Sequence, residues 1–310
     1  VNGGATLGID LGGTRIKAGI VDAGGAVLAR AVEPVGPDKS GPAVVRRLAE
    51  VIAGLRAACA TPVAHVGLAA AGVVDRARGV VCESPNFPPW RDVALARDLR
   101  DATSLSVSLD NDANAVILGE AIAGAGRGVP SVVGFTLGTG VGGGIVLDGA
   151  LWRGSRGMAG ELGHITVIPD GRPCGCGNHG CLEQYAGTVG LRQSLRDAGG
   201  DLARLADAPD AAEQMAALAR AGDARVQAIF DIMGDCLGQA VATMVHALDV
   251  QCIVLAGGVA RTAELFMPAL LATFEARTFR SMSRGVRVAI GTLGEDAGVI
   301  GAAIGCERNM

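Results

Sequence analysis

Gly8-Ile-Asp-Leu-Gly-Gly-Thr14 reads as the end of a strand running into a glycine turn, and Ile16 to Val21 as the strand that returns from it. The pattern recurs 126 residues later as Gly134-Phe-Thr-Leu-Gly-Thr-Gly140. The return strands Gly19-Ile-Val21 and Gly144-Ile-Val146 follow at an offset of 125. Repeats so widely spaced do not build a solenoid. They predict two similar α/β domains, each opening with a glycine-turned hairpin.

The rest of the chain fits that plan. Val44, Val45, Leu48, Val51, Ile52 and Leu55 recur at helical spacing, with Arg46, Arg47 and Glu50 between them. Residues 26–32, 62–71 and 105–109 read as strands, and 111–123 as a helix opening on Asn111-Asp112. In the second cycle, 132–137 and 144–147 read as strands and 181–198, 210–221 and 223–248 as helices. Strands at 251–255 and 286–291 precede a last helix from about 295. The expected division is a smaller domain over 1–121, joined by the C-terminal helix at about 295–310, and a larger one over 122–294.

Composition bounds the function. Of 310 residues 48 are glycine and 12 proline, with 49% hydrophobic and 19% charged residues. That excludes collagen, which needs abundant proline and a strict period, and argues against disorder. A net charge of −4 without a basic run gives no electrostatic footprint for nucleic acid. Val1 to Gly4 is too short and polar for a signal region. The uncharged span 128–147 is long enough to cross a bilayer, but seven glycines and Pro130 within it favour strand–turn–strand. The expected location is the cytoplasm. Cys59, Cys82, Cys236, Cys252 and Cys306 lie in apolar contexts that suit buried thiols. Cys174, Cys176 and Cys181 cluster in a glycine-rich loop, which points to a metal site rather than to disulfides. His65 and His246, alone in apolar stretches, read as core residues.

The glycine turns carry chemistry. Gly138-Thr-Gly140-Val-Gly-Gly143 satisfies G-x-G-x-x-G, but a strand follows where a dinucleotide site needs a helix. No P-loop motif occurs. What remains is a pair of turns whose backbone N–H groups face outward without Cβ obstruction, a nest for phosphate oxygens. With Gly257-Gly258 after a third strand, they point to a nucleotide held by Gly12, Gly13, Thr14, Gly138, Thr139, Gly140, Gly257 and Gly258. Asp10, at the strand end, stands where it can reach Mg²⁺ directly or through water.

Leu7-Gly-Ile-Asp10-Leu-Gly-Gly-Thr14, Asp110-Asn-Asp-Ala-Asn-Ala115, Gly138-Thr-Gly-Val-Gly-Gly-Gly144, Gly160-Glu-Leu-Gly-His164 and Cys174-Gly-Cys-Gly-Asn-His-Gly-Cys-Leu-Glu183 together resemble the motifs of the ROK family (repressor, open reading frame, kinase). The likeness runs from about residue 5 to 305. It implies a duplicated ribonuclease-H-like (actin- and hexokinase-like) α/β fold, with ATP and a sugar in the interdomain cleft. A sugar kinase and a homodimer are the expectations.

The resemblance also distributes roles. His164, Cys174, Cys176 and Cys181 offer one imidazole and three thiolates, a complete tetrahedral set for structural Zn²⁺. His179 is read as exposed and outside the set. Asp112 matches the catalytic base that takes the hydroxyl proton, and Asp110 is its competitor. Asn111, Glu161, His164 and Glu183 match sugar contacts, with His164 binding metal through one ring nitrogen and a hydroxyl through the other. Asn111 and Asp112 also suit a helix N-terminus as cap and favourable charge. Ser84-Pro-Asn-Phe-Pro-Pro-Trp90 resembles the Asn-x-x-x-Trp loop of ROK glucokinases, placing Asn86 by the sugar; by itself it reads as a proline-stiffened loop with an exposed aromatic, or equally simply as a folded loop with Trp90 as its anchor.

The leading expectation is ATP-dependent phosphorylation of glucose at its 6-hydroxyl. Kinases for N-acetylmannosamine, N-acetylglucosamine, fructose, mannose or allose share nearly all these motifs. A non-catalytic sugar sensor stays open beside them, as does polyphosphate in place of ATP as donor. Arg15 stands where many members have Lys or Asn. The absence of a helix-turn-helix before residue 5 counts against the repressor branch.

Overall fold

The computed structural model describes residues 4–307. It opens with strands β1 (Ala5–Leu11), β2 (Arg15–Val21) and β3 (Val27–Pro34), then helix α1 (Gly41–Ala58) and β4 (Val63–Ala70). The hairpin β5 (Val73–Asp75)–β6 (Val80–Glu83), α2 (Leu95–Thr103), β7 (Ser106–Asn111) and α3 (Asp112–Ala123) follow. The second cycle is β8 (Val132–Leu137), β9 (Val141–Leu147) and β10 (Ala150–Leu151). After it come α4 (Glu183–Ala186), α5 (Thr188–Ala198), α6 (Gly200–Leu205), α7 (Ala211–Arg220) and α8 (Ala224–Leu248). The chain ends with β11 (Cys252–Ala256), α9 (Ala263–Arg277), α10 (Arg280–Ser283), β12 (Arg287–Ile290) and α11 (Ala297–Glu307).

The repeat predicted from the two glycine hairpins is real. One five-stranded sheet is ordered β3-β2-β1-β4-β7 and the other β10-β9-β8-β11-β12. In the first, β1 and β2 are antiparallel, while β1, β4 and β7 run parallel. In the second, β8, β11 and β12 run parallel.

The chain divides into two compact units. The first holds the described residues up to Pro130, Gly144–Gly160 and those from Thr292 on; the second holds Ser131–Gly143 and Glu161–Gly291. The boundary therefore differs from the expected 121, and the 144–160 excursion goes with the first unit. The reason is packing: Gly144 presses on Ile117, and Arg153 binds Asp110.

In the first unit, period-two alternation sorts β1. Leu7, Ile9 and Leu11 are buried in a core with Val44, Leu48 and Ile52 of α1 and Leu99 of α2. The opposite face, with Gly8 and Asp10, meets α11: a Cβ on Gly8 would stand 1.9 Å from the Val299 carbonyl oxygen, and one on Gly298 would stand 3.1 Å from the Asp10 carboxyl carbon. Glu120 is a buried charge, 1% exposed. Its carboxylate accepts backbone N–H bonds from Ala125, Thr292 and Leu293 at 2.9–3.0 Å, tying the end of α3 to the segment that leads into α11.

In the second unit, α8 packs along α9 through glycines, with Gly234 against the Phe266 carbonyl and Gly238 against that of Leu270. Helix α8 is the one described helix long and apolar enough to cross a membrane. Its apolar face, from Val226 to Val245, is buried within the unit. Sequence periodicity missed α9 because its apolar residues surround the helix and Pro268 sits inside it, a residue that ordinarily breaks helices. The 181–198 pattern is two helices, broken at the extended Gly187.

Two side-chain expectations fail. His246 is exposed, because its helix ends there; its ring meets Phe279 edge-on, centroids 5.5 Å apart. Cys59 and Cys82 are only half-buried, unlike Cys236 and Cys252, and the Cys306 side chain lies outside the described residues. Of the two readings of Trp90 the anchor holds: it is 2% accessible, stacks on Phe87 with centroids 4.2 Å apart, and donates from Nε1 to the Lys39 carbonyl at 2.8 Å. It anchors the 84–90 loop by satisfying its one polar atom inside the core.

Candidate active site

In the first unit the candidate residues gather where the parallel strands end. Asp10 pairs with Ala69 across β1–β4, and Ala69 with Asp110 across β4–β7, so Asp10, Asp110 and Asn111 share one end of the sheet. Gly12 and Gly13 form the turn after β1, where the Gly12 N–H bonds the Arg15 carbonyl at 3.0 Å; Thr14 is exposed. The buried Trp90 fixes the 84–90 loop so that Asn86 lies against Gly13, where a Cβ would be 3.0 Å from the Asn86 amide carbon. The likeness to an Asn-x-x-x-Trp loop thus has a physical basis: the tryptophan holds the loop and the asparagine sits at the turn.

Asn111 caps α3, its Oδ1 accepting from the N–H groups of Ala113 (2.9 Å) and Asn114 (3.1 Å). Its Nδ2 donates to the Gly72 carbonyl at 3.1 Å, leaving one amide hydrogen for a ligand. Asp112 follows at the first helical position, with Oδ1 accepting the Ala113 N–H at 2.9 Å.

Asp110 and Asp112 have opposite surroundings. Asp110 Oδ2 receives the Arg153 guanidinium through Nε at 2.9 Å and Nη2 at 2.6 Å, with Arg76 Nε 3.7 Å away. Its Oδ1 accepts from the Asn111 N–H and Asn114 Nδ2. Asp112 has no such cation: burial raises its carboxyl above the ordinary range, against the lowering effect of its backbone hydrogen bonds. Asp10 is pushed up to about 6, first by burial, then by the charge of Asp112; Lys17 opposes this and Glu295 adds to it. Asp110 is thus held as a paired anion, whereas the proton affinity of Asp112 is raised by its surroundings.

In the second unit, adjacent parallel strands β8 and β11 end in the Gly138–Gly140 turn and in Gly257-Gly258. A Cβ at Gly138 would meet nothing within 4 Å, and one at Gly258 would meet only the tip of Arg261. Backbone at both places is open to an approaching group. Gly257, by contrast, has φ +95° and packs on the Leu137 carbonyl, so its glycine serves the turn itself. The turn's 138 and 139 carbonyls accept the N–H groups of Thr188 and Val189 at the start of α5.

The cysteine loop sits beside that turn. The donor atoms of His164, Cys174, Cys176 and Cys181 all lie within 4.8 Å of one another. His164 Nδ1 is 3.6 Å from Cys174 Sγ, and Cys176 Sγ is 3.7 Å from Cys181 Sγ. A tetrahedron with Zn–S bonds of about 2.3 Å has edges of about 3.7 Å, so the four residues fit zinc. Burial pushes the Cys174 thiol up to about 12 and also raises Cys181, whereas a backbone N–H bond lowers Cys176. A cation is what would deprotonate the buried pair. His179 is exposed, as expected.

His164 presents its other nitrogen, Nε2, to Glu161 at 3.9 Å, while Nδ1 faces the thiols. Glu183 lies between loop and turn: Oε1 is 3.1 Å from Cys174 Sγ, and Oε2 would be 2.7 Å from a Cβ on Gly140. Arg172, just before the loop, was invisible to motif reading. It bonds the Gln184 and Gly190 carbonyls, Ser194 and Asp197, and stacks on Tyr185. Arg153 was missed as well, since nothing in sequence links it to an aspartate 43 residues away.

The ROK family sequence pattern matches residues 6–308 of this chain. The chain belongs to the ROK family. This ROK protein is 37% identical over 304 residues to a glucokinase of Thermotoga maritima, covering 96% of this chain and 95% of that one. Its fold matches the crystal structure of a ROK hexokinase from Thermus thermophilus at a TM-score of 0.88 and 35% identity, covering 98% of each chain. It also matches a ROK family glucokinase from Streptomyces griseus in complex with glucose and AMPPNP, at a TM-score of 0.83 and 32% identity, over 99% of this chain and 100% of that one. The duplicated α/β architecture is that of these kinases.

Proposed function

We propose that this ROK protein transfers the γ-phosphoryl group of ATP to the 6-hydroxyl of glucose. The observation that carries the reading is the contrast between the two carboxylates at the start of α3: Asp110 is neutralised by Arg153, while Asp112 is desolvated and, among the described residues, has no cation paired with it. The near-full-length likeness to glucokinases, one of them bound to glucose and AMPPNP, supports it.

In this reading the first unit supplies Asp112 as base, Asn111 and Asn86 as hydroxyl contacts, and the Gly12–Thr14 turn for phosphate oxygens. The second supplies Glu161, His164 and Glu183 to the sugar, and Gly138, Thr139, Gly140, Gly257 and Gly258 to the nucleotide. The 6-hydroxyl oxygen forms its bond to the γ-phosphorus, the bond from that phosphorus to the bridging oxygen breaks, and ADP leaves. Asp112 takes the hydroxyl proton. Asp10, whose carboxyl is destabilised as an anion by burial and by Asp112, suits Mg²⁺ at the end of β1. Bound there, Mg²⁺ would supply charge neutralisation on the phosphates.

Zinc in the Cys₃His set is structural in this reading, since protein fills all four places. Cys174, Cys176, Cys181 and His164 Nδ1 would hold the ion, and that bond would orient the ring so that Nε2 stays available to a hydroxyl. A coupled ADP-release assay across glucose, mannose, fructose, allose and the N-acetylated hexosamines tests the proposal. Glucose is expected to give the highest kcat/KM; no glucose-dependent ADP release would refute it.

A further inference from the structure

Asp110 and Asp112 stand two residues apart, one at the end of a strand and one at the start of a helix. The residue that separates their roles comes from far along the chain. Arg153, after β10, holds Asp110 by two N–H···O bonds to a single oxygen, and its Nη1 also reaches the Leu151 carbonyl. Its side chain is 15% exposed and that of Asp110 19%, so the pair is largely shielded from water, where such a bond is strong and an unpaired partner costly. Asp110 in turn bonds the Asn111 N–H and the Asn114 side chain, inside the cap that orients Asp112.

We propose that Arg153 is a positioning residue for the phosphoryl-transfer base: by gripping Asp110 it fixes the first turn of α3 and cancels the charge that would otherwise compete beside Asp112. This rests on the kinase reading above. Arg76 lies 3.7 Å from Asp110, and the charge of Asp112 acts on Asp10 of β1, which also feels Lys17 of β2 and Glu295. Arg76 is too distant to replace a two-bond grip.

Two effects follow and separate by substitution. Arg153→Met leaves Asp110 with only the longer ion pair to Arg76 at 3.7 Å, so less of its charge is compensated and the proton affinity of Asp112 rises. The acid limb of the kcat–pH profile moves to higher pH, and kcat falls ~10- to 100-fold from misplacement, with glucose KM changed far less. Arg153→Lys keeps the charge and loses the fork, so kcat falls while the acid limb stays. Should Arg153→Met fail to fold, the double variant Arg153→Met/Asp110→Asn removes both charges; it is expected to keep the wild-type acid limb with reduced kcat.

Hydrogen exchange at the Ala113 and Asn114 amides gives a readout independent of turnover, and faster exchange is expected in every Arg153 variant. A wild-type kcat and acid limb in Arg153→Met, or wild-type kcat in the double variant, overturns the proposal. A wild-type enzyme inert toward all sugars fails the kinase reading instead, and the exchange experiment still decides whether Arg153 orders the helix start.

Discussion

Gly301 of α11 crosses α3 at Ala115 so closely that a Cβ on Gly301 would stand 1.7 Å from the Ala115 carbonyl oxygen. The same helix presses on Gly8 of β1 through Val299, on Gly67 of β4 through Ala302, and on Gly119 of α3 through Ala297. Backbone packed on backbone leaves no side chain that can move aside. Gly301→Ala is therefore expected to destabilise the protein by ~3 kcal/mol or more in urea denaturation. Gly54→Ala, in exposed mid-helix α1 with nothing within 4 Å, is the control and should stabilise by about 0.5–1 kcal/mol.

Asp112→Asn should lower kcat by ~10²-fold or more while leaving glucose binding nearly intact, because the amide keeps the shape and loses the basic oxygen. Burial raises the Asp112 carboxyl, so the wild-type acid limb should lie above the ordinary carboxylate range. Isothermal titration with glucose separates the two quantities; equal loss of binding and turnover would point to a folding defect.

Asp10 gives a prediction in stability. Its carboxyl is held at about 6, so between pH 4 and 6 the native state binds more protons than the unfolded state. Stability therefore falls as pH rises through that window and stays reduced above it. Asp10→Asn should match wild type near pH 4. Without divalent ions at pH 7.5 it should be more stable by up to about 2–3 kcal/mol, because a tenfold difference in proton affinity between the two states is worth ~1.4 kcal/mol. Added Mg²⁺ should narrow that gap by stabilising wild type alone. Equal denaturation midpoints at both pH values, with and without Mg²⁺, would count against the assignment.

Removal of zinc by a chelator should weaken glucose affinity before it unfolds the protein, since His164 and Glu183 both touch the cysteine cluster. Metal analysis of the purified protein should give about one zinc per chain, and Cys176→Ser should lower it. A zinc-free protein with unchanged glucose affinity would separate the metal from the sugar site.

Much of this was legible in the sequence. Strand β8 spans the predicted 132–137, and every apolar residue assigned to the inner face of α1 is buried. Residues close in sequence that act locally were equally readable: the Asn111 cap, the Cys-x-Cys loop, the turn at Gly12-Gly13. These follow from periodicity and backbone geometry within a few residues, which the chain carries wherever it folds.

What the sequence determined by itself was a duplicated α/β chain with two glycine turns, a candidate metal loop and a pair of candidate carboxylates. Tertiary structure decided which glycines face open space and which let backbones touch: Gly138 has nothing within 4 Å of a Cβ position, while Gly8, Gly67 and Gly301 each lie under a carbonyl brought from far along the chain. It also set the two carboxylates apart, by delivering Arg153 to Asp110 and leaving Asp112 desolvated. Steric contact and proton affinity depend on atoms a few ångströms away in space, and those neighbours are assigned only when the chain has folded.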